Sequence, residues 1–255
     1  MKTLFFKGFW EAYDKPLGWF IDQVLAGGWS GTEIYLAGRP EPLPEIARAH
    51  KEAKLPLIAQ IGTSGDTPGE HLSSPRTNYL CALECDPLFV VSHTGKDFFG
   101  FDENRRILES GIELASESGT ALLHETHRGR APSSVPLCKA YLDIMPDLRL
   151  TFDVAHLFCV HESDLSNQRA SVQAIVNASD HIHARVGFGE GPQVGDPYNP
   201  MYQNWTAICM DYWTRIRDRH LAAGRPQLTV TPEFGPPPFA PLVGKLMNLS
   251  ATRGN

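Results

Sequence analysis

Four short stretches in the second half of this 255-residue chain carry acids and imidazoles at spacings that suit metal-assisted chemistry. They read His124-Glu125-Thr126-His127-Arg128, Phe152-Asp153-Val154-Ala155-His156, His181-Ile182-His183-Ala184-Arg185 and Thr231-Pro232-Glu233-Phe234-Gly235, the last followed by three prolines. Each ends or interrupts a run of β-type residues. Strand alternation puts Glu125 and His127 on one face, and His181, His183 and Arg185 on one face of their own run. Of these, His183 and Arg185 stand nearest the strand end, where they could meet a ligand. A carboxylate inside a protein is costly unless it is paired or bound to a metal. Singly, each stretch has an ordinary reading. Glu125 could pair with Arg128 or Arg185, and Asp153 could cap the next segment with His156 at the surface. The histidine run could be a solvated edge, and Glu233 could open a helix. Together, Glu125, Asp153, His183 and Glu233 offer three carboxylates and one imidazole, a set suited to one divalent ion: Mn2+, Mg2+, Co2+ or Zn2+. Without the ion, one of the three carboxylates would be pushed towards protonation.

Such a set works only if the backbone delivers all four groups to one place. Strand-type runs are expected at 3–9, 32–37, 56–62, 87–93, 121–127, 149–155, 181–186 and 228–233, most of them rich in apolar and β-branched residues. Helical patterns fill the gaps at 17–26, 44–53, 102–118 and 204–223, with fainter ones at 136–147 and 165–179. Cys81 and Cys85 sit four apart on a further helical stretch. Eight βα units without a break predict an α/β fold, the (β/α)8 TIM barrel, as a single domain over 1–255. A doubly wound sheet would carry GxGxxG after its first strand; the glycine-rich Gly187–Gly191 stretch has neither that spacing nor that position. In a TIM barrel, function lies at the carboxyl ends of the strands. The four acidic and histidine-bearing stretches end strands five to eight, and the loop at 187–200 is expected to help form the pocket.

Composition narrows the class. The apolar fraction is 42% and the formal charge −6, with no Lys/Arg-rich run, which argues against a nucleic-acid surface. No stretch of 18 apolar residues occurs, so no membrane span is expected, and the N-terminal apolar run is too short for a signal peptide. Five scattered cysteines without CxxC fit reduced thiols in a cytoplasmic protein. A small-molecule enzyme is the expectation, with a homo-oligomer left open.

The pattern of Glu on strand five, DxxH on strand six, HxH on strand seven and Glu on strand eight resembles the xylose isomerase-like TIM barrels, and within them the sugar (or sugar-phosphate) isomerase/epimerase group. Gly28-Trp29-Ser30-Gly31-Thr32-Glu33 is similar to the signature that enters that family's second strand. The resemblance implies that Glu125, Asp153, His183 and Glu233 are metal ligands. It implies that Glu125 and Glu233 are also the acid/base pair, and that His156 contacts substrate. Arg185 and His127 join His156 as candidate substrate-binding groups. Trp10 and Phe234 could wall the pocket, and His93 and Lys96 are weaker candidates. Two features depart from the pattern: Arg185 follows the strand-seven ligand by only two residues, and the loop GFGEGPQVGDP differs from that of the epimerases. Endonuclease IV, another member, needs an Asp-x-His after strand seven that is missing here. The implied activity is metal-dependent isomerisation or epimerisation of a small sugar, sugar phosphate or hydroxy-ketone through an enediolate. A metal-dependent dehydratase or lyase of a polyol or keto-sugar, and a non-catalytic sugar-binding barrel, are the alternatives.

Overall fold

The computed structural model describes residues 1–235, and the proline run at 236–238 lies outside them. Eight parallel strands close into a barrel in sequence order. They are β1 (Lys2–Gly8), β2 (Gly31–Tyr35), β3 (Leu57–Gly62), β4 (Val90–His93), β5 (Leu122–Glu125), β6 (Leu150–Phe152), β7 (Ser179–Ala184) and β8 (Gln227–Pro232). β1 and β8 close the ring, with Lys2 opposite Gln227 and Phe5 opposite Val230. Closure removes the free edge that a histidine-bearing strand could have occupied, so His181 and His183 are buried.

Helices α1 (Leu17–Ala26), α2 (Leu43–Ala53), α3 (Pro68–Leu83), α4 (Phe101–Ser118) and α5 (Val135–Ile144) follow the first five strands. Two helices, α6 (Val154–His161) and α7 (Arg169–Ala178), follow β6, and α8 (Gln203–Ala222) follows β7. Local chemistry sets several boundaries. Thr67 and Glu70 form a reciprocal capping box that starts α3. Gly119, at φ 75°, ends α4 in the left-handed conformation that glycine adopts without strain. Cys81 lies in α3, but Cys85 falls past its end. All five cysteines are free thiols. No helix among the described residues is long and apolar enough to cross a membrane.

The largest apolar cluster lies between β6–β8 and helices α4, α5, α7 and α8, built on Leu150, Phe152, Val172, Ile175, Ile182 and Ile216. Inside the barrel a small apolar plug of Phe6, Ile58 and Val91, with Leu4 and Phe89 against it, fills the amino-terminal end. Strand alternation then places Gln60 two residues above Ile58, and His93 two above Val91. The interior thus changes from apolar to polar towards the carboxyl ends.

Candidate metal centre

Glu125 is the last residue of β5, His183 the fifth residue of β7, and Glu233 follows β8 directly. Asp153 arrives differently. The sixth strand is shorter than its expected 149–155 and ends at Phe152. Asp153 is the N-cap of α6, its Oδ1 accepting from the Ala155 backbone N–H at 2.9 Å. Capping does not remove Asp153 from the site, because Oδ2 still faces the interior. Glu125, Asp153, His183 and Glu233 each present a ligand atom within 4.8 Å of the others. All four expected ligands therefore converge.

The remaining site residues take definite positions. His156 is in the first turn of α6 and buried, not at the surface. Arg185, just past β7, accounts for the charge. Its Nη2 donates to Asp153 Oδ2 at 2.6 Å and to His156 Nε2 at 2.7 Å. The same nitrogen lies 2.9 Å from Glu233 Oε2, within ion-pair range but without hydrogen-bond alignment. Glu125 pairs with neither Arg128 nor Arg185. It accepts from His93 Nε2 at 2.6 Å and from Gln60 Nε2 at 3.2 Å. His127 follows β5, its ring 4.6 Å from that of His93 and 3.8 Å from that of His156. His93, Glu125 and His127 form a second cluster on this wall.

A cavity of about 500 Å³ opens over these groups, lined among others by Trp10, Tyr13, Tyr35, His93, Glu125, His127, Arg185 and Glu233. Trp10 sits in a short 3-10 turn after β1, its ring 5.9 Å from that of His183. Phe234 is 43% exposed and does not line the cavity, nor does Lys96. The loop at 187–200 is also absent from the lining. It turns back on itself through Phe188 and Gly191, and its Gln193 exchanges hydrogen bonds with the Gly235 backbone.

Glu33 is the residue that sequence reasoning left out of the site. It is fully buried in β2 and reaches across the barrel to β7. Its Oε1 lies 2.9 Å from His183 Nε2, its Oε2 3.1 Å from His181 Nε2, and the Thr231 hydroxyl donates to Oε2. Burial alone would raise its pKa, but His183 and His181 bring it down to about 2. The signal available was one acid in the Gly-Trp-Ser-Gly-Thr-Glu entry to strand two.

Glu233 and Glu125 feel opposite pulls. Burial pushes Glu233 up to about 8, despite Arg185 and His183. Burial would raise Glu125 too, but His93 and His183 hold it well below the usual carboxylate range. His183 is pulled down by burial and held well above its ordinary value by Glu33, Glu125 and Glu233. Burial lowers His127 to about 4; burial, His127 and Arg185 keep His156 well below its ordinary value.

These groups fit a divalent cation. His183 Nδ1 is buried without a hydrogen-bond partner, 3.3 Å from Glu125 Oε1 and 3.8 Å from Glu233 Oε1. Buried polar atoms in folded proteins rarely lack a partner. Arg185, the one arginine in contact with the quartet among the described residues, meets only two of its three carboxylates, Asp153 and Glu233. Three oxygen donors and one imidazole nitrogen suit a hard or borderline ion.

Neither a family model nor a curated protein matches the sequence. Solved structures do match in fold. A family 2 AP endonuclease from Brucella melitensis shares 12% identity at a TM-score of 0.62, covering 92% of this chain and 94% of its own. A xylose isomerase-like TIM barrel protein from Mycobacterium smegmatis, solved in complex with magnesium, shares 12% at 0.61, covering 93% of each. A sugar phosphate isomerase/epimerase from Parabacteroides distasonis shares 10% at 0.59, covering 94% of this chain and 89% of its own. The expected resemblance to xylose isomerase-like barrels thus holds at the level of fold. The activities named for the endonuclease and the isomerase/epimerase differ, and fold alone does not select between them.

Proposed function

We propose that the chain is a metal-dependent isomerase or epimerase acting on a small sugar, sugar phosphate or hydroxy-ketone. The observation that carries this reading is the convergence of Glu125, Asp153, His183 and Glu233 beneath one cavity. Glu125, Asp153, His183 and Glu233 would hold one divalent ion, Mn2+, Mg2+, Co2+ or Zn2+. When bound, it supplies Lewis-acid polarisation of a substrate carbonyl. The chain's own residues do the rest. One of Glu125 and Glu233 takes the proton from the carbon next to the carbonyl. The C–H electron pair becomes the C=C bond of an enediolate as the carbonyl π pair moves to oxygen. The other glutamate returns a proton to the opposite face of that carbon, or to the former carbonyl carbon as the hydroxyl proton passes to the former carbonyl oxygen. His156, Arg185 and His127 orient substrate oxygens, and Trp10, Tyr13 and Tyr35 wall the cavity against water.

Exchange of substrate hydrogen with solvent D2O, followed across a panel of ketoses and ketose phosphates, tests the reading. Exchange at the carbon beside the carbonyl is expected with metal-loaded protein. Glu233→Gln should lower its rate by about 10²–10⁴-fold, the usual contribution of a general acid/base. Purified protein that takes up no divalent ion and catalyses no exchange would overturn it.

A further inference from the structure

Glu33 links the β2 side of the barrel to a histidine pair on β7, about 150 residues away in the chain. An ionised carboxylate only accepts, so an imidazole nitrogen that hydrogen-bonds to it must carry a proton. Glu33 Oε1 faces His183 Nε2 at 2.9 Å, and Oε2 faces His181 Nε2 at 3.1 Å. His181 is engaged at both nitrogens, since its Nδ1 lies 2.8 Å from Thr229 Oγ1 and 3.0 Å from the Thr229 carbonyl. His183 is engaged at Nε2 alone.

Glu33, His181 and His183 are near enough together to hold an ion of their own. The hydrogen bonds speak against that use. Both Glu33 oxygens are already occupied, by two imidazoles and the Thr231 hydroxyl. An ion there would have to displace a proton from each Nε2.

We propose that Glu33 is the positioning residue of this centre. It holds a proton on His183 Nε2, so that Nδ1, which faces Glu125 and Glu233, is the nitrogen left to ligate when the ring is neutral. What Nδ1 then binds rests on the proposed function. The orientation does not. An imidazole with one proton places it on whichever nitrogen has the better acceptor, and that choice decides which nitrogen can ligate. Without Glu33 the competing acceptors are Glu125 Oε1 and Glu233 Oε1, both on the Nδ1 side. The proton would move to the nitrogen that must stay free. The same geometry explains why His183, and not His181, is the ligand in a His-x-His pair on one face.

Two measurements test this. In metal-free protein labelled with ¹⁵N-histidine and studied where the ring is neutral, long-range ¹H–¹⁵N spectra should show a slowly exchanging proton on His183 Nε2 and none on Nδ1. In a Mn2+ titration followed by electron paramagnetic resonance, Glu33→Leu should weaken binding about 10–100-fold, the usual effect of losing such a partner. Glu33→Gln, whose carbonyl still accepts from Nε2, should stay within a few-fold of wild type and keep the Nε2 proton. A role in charge alone would make the two variants fall equally, and that result overturns the proposal. So does an unprotonated Nε2 in the wild-type spectrum, a measurement that stands even where Glu33→Leu does not fold. A protonated Nε2 in protein that binds no Mn2+ supports the assignment to Glu33 and overturns the metal reading instead.

Discussion

Arg185 would both serve and oppose the proposed metal centre. Its Nη2 contacts Asp153, His156 and Glu233, so in the metal-free protein it supplies part of the positive charge the acids need. Burial works against its charge, yet Asp153 and Glu233 raise its pKa. Breaking a buried pair by removing one partner costs about 3–5 kcal/mol. Arg185→Met should therefore destabilise metal-free protein markedly in thermal or denaturant unfolding. The same substitution removes a cation that competes with the ion, so Mn2+ affinity should rise. Weaker Mn2+ binding in Arg185→Met would show that the guanidinium supports the ion by orienting Asp153. The convergence of the four candidate ligands was legible because each sits at or just past a strand end beside apolar residues. The roles of Glu33 and Arg185 were not, because they depend on pairings between strands. Glu33 meets His183 across a closed ring, and no local pattern encodes that distance.

At the scale of elements, strand starts and helix faces carry their own loads. β6 and β7 shift register between Leu150 and Thr151, so that Thr151 pairs with His181 and Asp180 is passed over. The carboxylate of Asp180 takes a bidentate grip from Arg149, with both contacts at 2.7 Å, and a third contact from Arg219 of α8 at 3.2 Å. Burial would raise its pKa, but Arg149 and Arg219 lower it. A depressed carboxylate adds stability above its unfolded pKa, and that stability is lost as pH falls through the folded value. Asp180→Asn should cost about 1–3 kcal/mol near neutrality, with the gap to wild type closing in acid below about pH 4. A gap that stays constant down to pH 2 would contradict this. In α4, Gly111 meets the β5 residue His124 so closely that an added Cβ would lie 2.7 Å from its ring. Alanine would gain up to about 1 kcal/mol of helix propensity against about 1–3 kcal/mol of overpacking. Gly111→Ala should lower the melting temperature. Helix and strand identities followed from periodicity, and α1 matches its expected 17–26 span. The end of β6 and the whole of α6 did not, because one side chain, Asp153, converts the end of the expected strand into a helix cap.

For the whole molecule, the four proposed ligands come from β5, β7, the residue after β8 and the cap of α6, consecutive parts of half the ring. An ion held by all of them ties the second half of the barrel to the strand that closes it against β1. Binding to the folded state alone stabilises it by about 2.7 kcal/mol at a free ion concentration 100 times the Kd. For a chain of 150–250 residues, each kcal/mol shifts the melting temperature by about 2–4 °C. Saturating Mn2+ should thus raise the melting temperature of chelator-stripped protein by about 5–10 °C. Asp153→Asn and His183→Asn should remove most of that shift, because each takes one ligand from the set. Substitution of Cys81, which lies on α3 outside the quartet, should leave the shift intact. A shift that survives in both ligand variants would mean that Mn2+ stabilises the barrel from somewhere other than this centre. Equal shifts with Mg2+ and Mn2+ at matched concentration would instead indicate that the three carboxylates dominate. A clear preference for Mn2+ would indicate that the imidazole of His183 contributes to selection, since the softer donor favours the later ion.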